Sequence, residues 1–171
     1  MIYIVGRSRD PLPLQTRITI YKAYIRPLME YASPIWSGAG ITALKLLDRL
    51  QKKALRLLNI DEPAMVGIHP LEHRRKVVSL CPFYRHFFLQ PSTELSRILP
   101  PVATNTRVTR STSNAHPHAV NIPKSTTNLH LSSYIPRTSR LWNSLPSTVF
   151  PSDPNMDAFK SAVNLYLLNH F

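Results

Sequence analysis

Four glycines in 171 residues leave no material for a glycine-rich loop of the kind that cradles nucleotide phosphates, and the chain contains none. Acidic residues are nearly as scarce, at nine. A two-metal phosphoryl-transfer site needs several carboxylates in one pocket. Here Asp61 and Glu62 are adjacent and face apart, while Asp153 and Asp157 stand at a helix start, where the dipole accounts for them. The single cysteine, Cys81, excludes an internal disulfide framework, reads as a small buried hydrophobe and fits a reducing compartment. No stretch approaches the ~20 apolar residues of a membrane-spanning helix, and the N-terminal MIYIVG is too short for a signal-peptide core. The expectation is therefore a nuclear or cytoplasmic protein, neither secreted nor held in a membrane. Histidines form no closed metal site: His69 and His73 are four apart, but Glu72 points elsewhere on a helix, and His116 and His118 merely flank a proline. Neither catalysis nor a resident metal or cofactor is expected of this chain.

What the sequence holds in excess is proline, with 16 residues, and positive charge, with 21 Lys and Arg giving a net +12 and a pI near 10.4. Proline confines long helices to proline-poor windows. A surplus of cations is most simply matched by a polyanion, whose condensed counterions are released on binding.

Three windows before residue 90 carry apolar residues at helical spacing. The first, 14–32, places Leu14, Ile18, Tyr21, Ile25, Leu28 and Ala32 on one stripe, with Pro27 expected to kink it near Ile25 or Arg26. The second, 41–59, has Thr42 as a candidate N-cap and Ala43, Leu47, Leu50, Ala54, Leu57 and Leu58 on its inward side. Lys45, Arg49, Lys52 and Arg56 fall within about 60° of each other on the other side at 100° per residue, with Lys53 at the edge, and the ridge spans roughly 16 Å. Only Asp48 offers it local compensation. The third window, from Leu71 to Phe88, has a stripe of Leu71, Val78, Cys81, Tyr84 and Phe88. Pro82 inside it predicts a kink, or two helices meeting at Leu80 and Cys81.

From residue 91 to 133 the chain is rich in Ser, Thr, Asn and Pro and loses periodicity, which predicts an extended linker of low order. Then comes YIPRTSRLWNSLP, residues 134–146, where two prolines bracket Arg137, Arg140 and Trp142; Trp142, like Trp36, is expected to pack rather than stack on bases. The end, 153–168, reads as a short helix capped by Asn155 or Asp153, with Met156, Phe159, Val163, Tyr166 and Leu167 inward. The fold class is mainly α: a small helical bundle over 12–90, the linker 91–133, and a C-terminal module 134–171.

Several segments, in order, carry a family likeness. YKAYIRPLMEYASPIWS (Tyr21–Ser37), LDRLQKKALRLL (Leu47–Leu58), LEHRRKVVSLC (Leu71–Cys81), PRTSRLWNSLP (Pro136–Pro146) and FKSAVN (Phe159–Asn164) resemble the region downstream of the polymerase core in reverse transcriptases of non-LTR, LINE-type retrotransposons, most of all the jockey-like group. The resemblance implies a helical thumb that closes on a template-primer duplex of RNA and DNA. The catalytic aspartates, with their Tyr or Phe, Ala, Asp, Asp signature, and the Mg2+ they hold would belong to a missing fingers and palm. Residues 1–11 would be the palm–thumb junction, so the chain looks like a remnant of a longer frame. The thumb's grip carries over to Lys45, Arg49, Lys52, Lys53 and Arg56, with Lys22, Arg26, Arg137 and Arg140 as further phosphate contacts. The competing expectation is a retroelement remnant or protein-interaction fragment with no ligand.

Overall fold

The computed structural model describes residues 12–60, 67–91, 93–103 and 116–170; residues 1–11, expected as a junction, and Asp61 and Glu62 lie outside them. The architecture is mainly helical, and among the described residues β pairing is limited to one antiparallel bridge, Val102 with Val120. The chain divides into two units, one made of the chain up to Ser33 with Ala39–Arg75, the other of Pro34–Gly38 with Lys76–Phe171. The division falls at Arg75 and Lys76, inside a helix, rather than near residue 90.

In the first unit, helix α1 (Leu14–Ile20) passes into a π-helical turn (Tyr21–Ile25) and then α2 (Arg26–Glu30). The π turn sits just ahead of Pro27, whose missing N–H breaks the regular ladder. A π turn holds one residue more than an α turn, so the inward register slips by one beyond it. Ile18, Tyr21 and Ile25 face the core as expected, but Met29 then takes the place expected of Leu28, which is 82% exposed. Leu14 and Ala32 are also exposed, and Ala32 takes a positive φ of 51° that ends the helical run. Helix α3 (Ser33–Trp36) follows, all of it after Ser33 belonging to the second unit.

Helix α4 (Ile41–Leu57) begins two residues earlier than a Thr42 cap would allow. Gly40 is the N-cap, its carbonyl accepting from the Ala43 and Leu44 amides. Its C-terminus is a Schellman motif: Asn59 has φ 49°, its amide donates to the Arg56 carbonyl, and the Ile60 amide donates to the Leu55 carbonyl. The hydrophobic contact that accompanies this motif is present, since Leu55 and Ile60 are both in the core with Tyr21 and Leu58. Arg17 closes the end by donating to the carbonyls of Leu58 (2.8 Å) and Asn59 (2.5 Å). The inward side of α4 differs from the expected stripe. Gln51, Ala54, Leu55 and Leu58 are buried, whereas Ala43 and Leu50 are exposed. The inward sector is centred about 60° away from the expected one at 100° per residue.

Gln51 explains the rotation. Its side-chain amide donates to the Tyr21 hydroxyl (2.9 Å) and the His69 carbonyl (3.2 Å), and its Oε1 accepts from the backbone amide of Leu71 (3.3 Å). That last bond satisfies an orphan donor at the start of helix α5 (Leu71–Tyr84). Burying α4 on this side thus satisfies three polar groups with one side chain. Glu30 and Arg74 add a bidentate ion pair, and the buried Arg75 reaches Asp48 at 3.4 Å.

The second unit holds the remainder of α5, which runs through Pro82 without a break and continues as a π-helical turn, Arg85–Leu89. Two helices meeting at Leu80 and Cys81 are not observed. The inward residues are Val77, Ser79, Leu80, Phe83 and Tyr84; Val78 and Cys81, expected in the stripe, are only half-buried. Helices α6 (Thr93–Ile98), α7 (Asn128–Ser132), α8 (Tyr134–Asn143) and α9 (Met156–His170) complete the unit, with a 3-10 turn at Ser147–Val149. Asn155 caps α9 as expected, its Oδ1 accepting from the amides of Asp157 and Ala158, and Phe159, Val163 and Leu167 are buried.

Aromatic rings form this core. Tyr84 stacks on Phe159, with ring centres 4.1 Å apart, and on Phe88 at 4.8 Å, while Trp142, fully buried, meets Phe83, Phe87 and Phe150. The Tyr134 hydroxyl donates to the Ser79 carbonyl, and burial holds that phenol protonated well beyond its ordinary range. Gly38 is required by close approach: a Cβ there would lie 2.1 Å from the Ser132 carbonyl oxygen.

Within the segment expected to be a low-order linker, the described residues 93–103 and 116–133 hold helix α6, the Val102–Val120 bridge and helix α7; residues 92 and 104–115 lie outside the described residues. The Trp-Asn pair of α8 supplies the reason. Trp142 Nε1 donates to the His118 carbonyl (2.7 Å), and Asn143 both accepts from the Val120 amide (2.9 Å) and donates to its carbonyl (2.8 Å). His116 Nδ1 accepts from the His118 amide, so Nε2 carries the proton and donates to the Trp142 carbonyl (2.9 Å). Backbone hydrogen bonding, rather than apolar periodicity, fixes residues 116–120.

Candidate nucleic-acid interface

The five cations of α4 project from one 17-residue helix whose opposite side is anchored by Gln51, Ala54, Leu55 and Leu58. Lys45, Arg49, Lys52, Lys53 and Arg56 are all exposed. None of them forms an ion pair with a described residue. The helix's one carboxylate, Asp48, points toward the core edge and is engaged by Arg75. The ridge consequently has no compensating acid on its own helix, and its field extends into solvent rather than closing on a neighbour.

The remaining expected contacts are placed differently. Lys22 and Arg26 are half-buried on the π turn and α2, where the charges of Arg26 and Arg74 act on the Tyr21 phenol. Burial nevertheless raises that phenol above its usual value, with Glu30 adding to the effect. Arg137 and Arg140 belong to the second unit. Arg140 is exposed, but Arg137 is half-buried and donates through Nη2 to the Pro34 carbonyl at 2.8 Å, which makes it a packing residue. A cation in a proline-bounded segment looks the same in sequence whether it serves solvent or a carbonyl.

Beside the cationic ridge, α4 presents apolar surface: Leu46 is 56% and Leu50 49% exposed. Tyr24 and Leu28 on the first helical run, and Tyr31 just past its end, are exposed too. Sequence reasoning assigned Leu50 and Leu28 to the core, and missed Gln51 because a glutamine among lysines reads as surface. His69 and His73 have ring centres 5.1 Å apart, and burial together with the neighbouring His73 and Arg74 charges lowers the pKa of His69. Among the described residues no group of three His, Cys, Asp or Glu side chains is gathered as for a metal ion, and no helix is long and apolar enough to cross a membrane. Comparison with family models, curated proteins and solved structures gives no match to this chain.

Proposed function

We propose that the first unit is a nucleic-acid-gripping module, a thumb of the non-LTR reverse-transcriptase type that holds a template-primer duplex by its phosphates and performs no chemistry itself. The carrying observation is the ridge of Lys45, Arg49, Lys52, Lys53 and Arg56: exposed, without an ion-pair partner among the described residues, and backed by a helix whose single acid is committed to Arg75. Roughly 16 Å of ridge, at 1.5 Å per residue, matches two or three successive phosphates of one strand. Point-charge contacts of this kind position a duplex without reading bases. The polymerase aspartates and their metal would lie in a separate fingers and palm, with which the module would work in the nucleus or cytoplasm.

The test is fluorescence anisotropy with a labelled DNA duplex over a salt series. Log K against log salt should fall with a slope of about −0.9 per duplex phosphate contacted. The quadruple change Lys45→Gln, Arg49→Gln, Lys52→Gln, Arg56→Gln should flatten it by several units; a salt-insensitive affinity, or one that survives the change, rejects the reading.

A second reading is favoured by the exposed Tyr24, Leu28 and Tyr31. They offer apolar surface suited to docking on another protein domain. Under that reading alone the chain self-associates in light scattering and shows no duplex affinity.

A further inference from the structure

Within the second unit, a cleft of about 430 Å³ opens beside the Pro82 turn of α5. The volume lies in the ~300–1,000 Å³ range of clefts that hold small molecules. Its walls come from two helical faces. Val78, Pro82 and Arg85 line it from α5 and the π turn, at the three- and four-residue spacing that stacks side chains on one face. Met156 and Lys160, four apart on the first turns of α9, line it from another side, and Pro34 adds a further wall.

The chemistry of this lining is divided. Val78, Pro82, Pro34 and Met156 offer apolar contact; proline has no backbone donor, and methionine adapts its shape to what it meets. Arg85 and Lys160 bring two positive charges, and no carboxylate lines the cleft. Asp157 lies 3.9 Å from Lys160 and is itself almost wholly exposed, so it neutralises little. Cys81, also in the lining, stays a neutral thiol because burial raises its pKa, and its Sγ donates to the Val77 carbonyl. Among the described residues, Arg85 has no carboxylate partner and Lys160 has only this long, exposed contact with Asp157.

We infer that this cleft is a binding site for a small amphipathic carboxylate, its hydrocarbon body lying between Val78, Pro82 and Met156 and its head group meeting Arg85 and Lys160. The apolar walls cover the body, while the head group meets Arg85 and Lys160 at the exposed mouth of the cleft. This site is independent of the α4 ridge: it uses none of the five cations, and it stands or falls regardless of duplex binding.

Octanoate is the probe, with octanamide as its uncharged counterpart. The full chain is labelled with methyl-13C methionine, and the Met156 resonance is assigned by Met156→Leu. Octanoate should shift the Met156 methyl saturably, leaving Met29 unmoved, and octanamide should bind at least tenfold more weakly. Arg85→Gln with Lys160→Gln should bring octanoate down to the octanamide level. An unmoved Met156 methyl, equal affinity for acid and amide, or full octanoate affinity in the double variant would overturn the assignment. The acid–amide comparison is made on the unaltered protein, so it decides the matter even if the double variant fails to fold.

Discussion

The two units differ in the size and chemistry of their cores, not in how much apolar surface they leave outside. In the first, a small cluster of Tyr21, Leu55, Leu58 and Ile60 is tied by Gln51; large apolar groups remain in solvent on both units, Leu28, Leu46 and Leu50 here and Ile98, Leu129 and Leu165 on the other. In the second, a ring cluster around Trp142, Phe83, Tyr84 and Phe159 takes in residues from α5, α8 and α9 and the chain between them. A small core leaves a long cationic helix bare on one side, which suits a surface meant for a partner. A large aromatic core can hold down a proline-rich chain that has no periodicity of its own.

The sharpest way to break this contrast is Trp142→Ala. It removes a fully buried ring and the donor to His118, and should destabilise the second unit by about 3–5 kcal/mol. Thermal unfolding followed by tryptophan-independent circular dichroism measures it. If the ridge belongs to the first unit alone, duplex affinity below the transition stays unchanged; a joint loss would erase the distinction between the units.

Next in size is Gln51→Leu, which leaves the Tyr21 hydroxyl, the His69 carbonyl and the Leu71 amide without this partner. A cost of about 1–3 kcal/mol is expected from such buried orphans, read from the denaturant midpoint. An unchanged midpoint would mean that the first unit is held by its apolar contacts and not by the polar bridge.

The smallest effect concerns acid. Burial lowers the His116 pKa below the ordinary 6.5, although its bond to the Trp142 carbonyl pulls the other way, and burial lowers His118 as well. The unfolded chain then binds protons more readily than the folded one, so stability rises with pH. The contribution is fully present above about pH 6.5 and is lost as the pH falls through the depressed folded values. A series of melts from neutral pH downward should show this slope, reduced in His116→Gln; no reduction would move the acid sensitivity of the chain to His69 in the first unit, whose pKa is lowered too.

Much of this was legible in the sequence. Helical class, the Asn155 cap, the buried Phe159, Val163 and Leu167, and the relative angles of Lys45, Arg49, Lys52 and Arg56 all follow from local geometry, because a helix fixes 100° per residue whatever surrounds it. What spacing cannot fix is which sector of a helix turns inward. On α4 that was decided by groups distant in sequence, Tyr21, His69 and Leu71, whose hydrogen-bonding needs drew Gln51 in and left Leu50 out. A one-residue slip at the π turn before Pro27 exchanged Leu28 for Met29 in the same manner. Residues 116–120 were likewise invisible as structure, since their order is lent by the side chains of Trp142 and Asn143. The sequence by itself determined the long helical windows and their charge. Only the tertiary structure decided which faces are spent inside, because burial is settled by partners that satisfy polar groups and fill space, and those partners lie far along the chain.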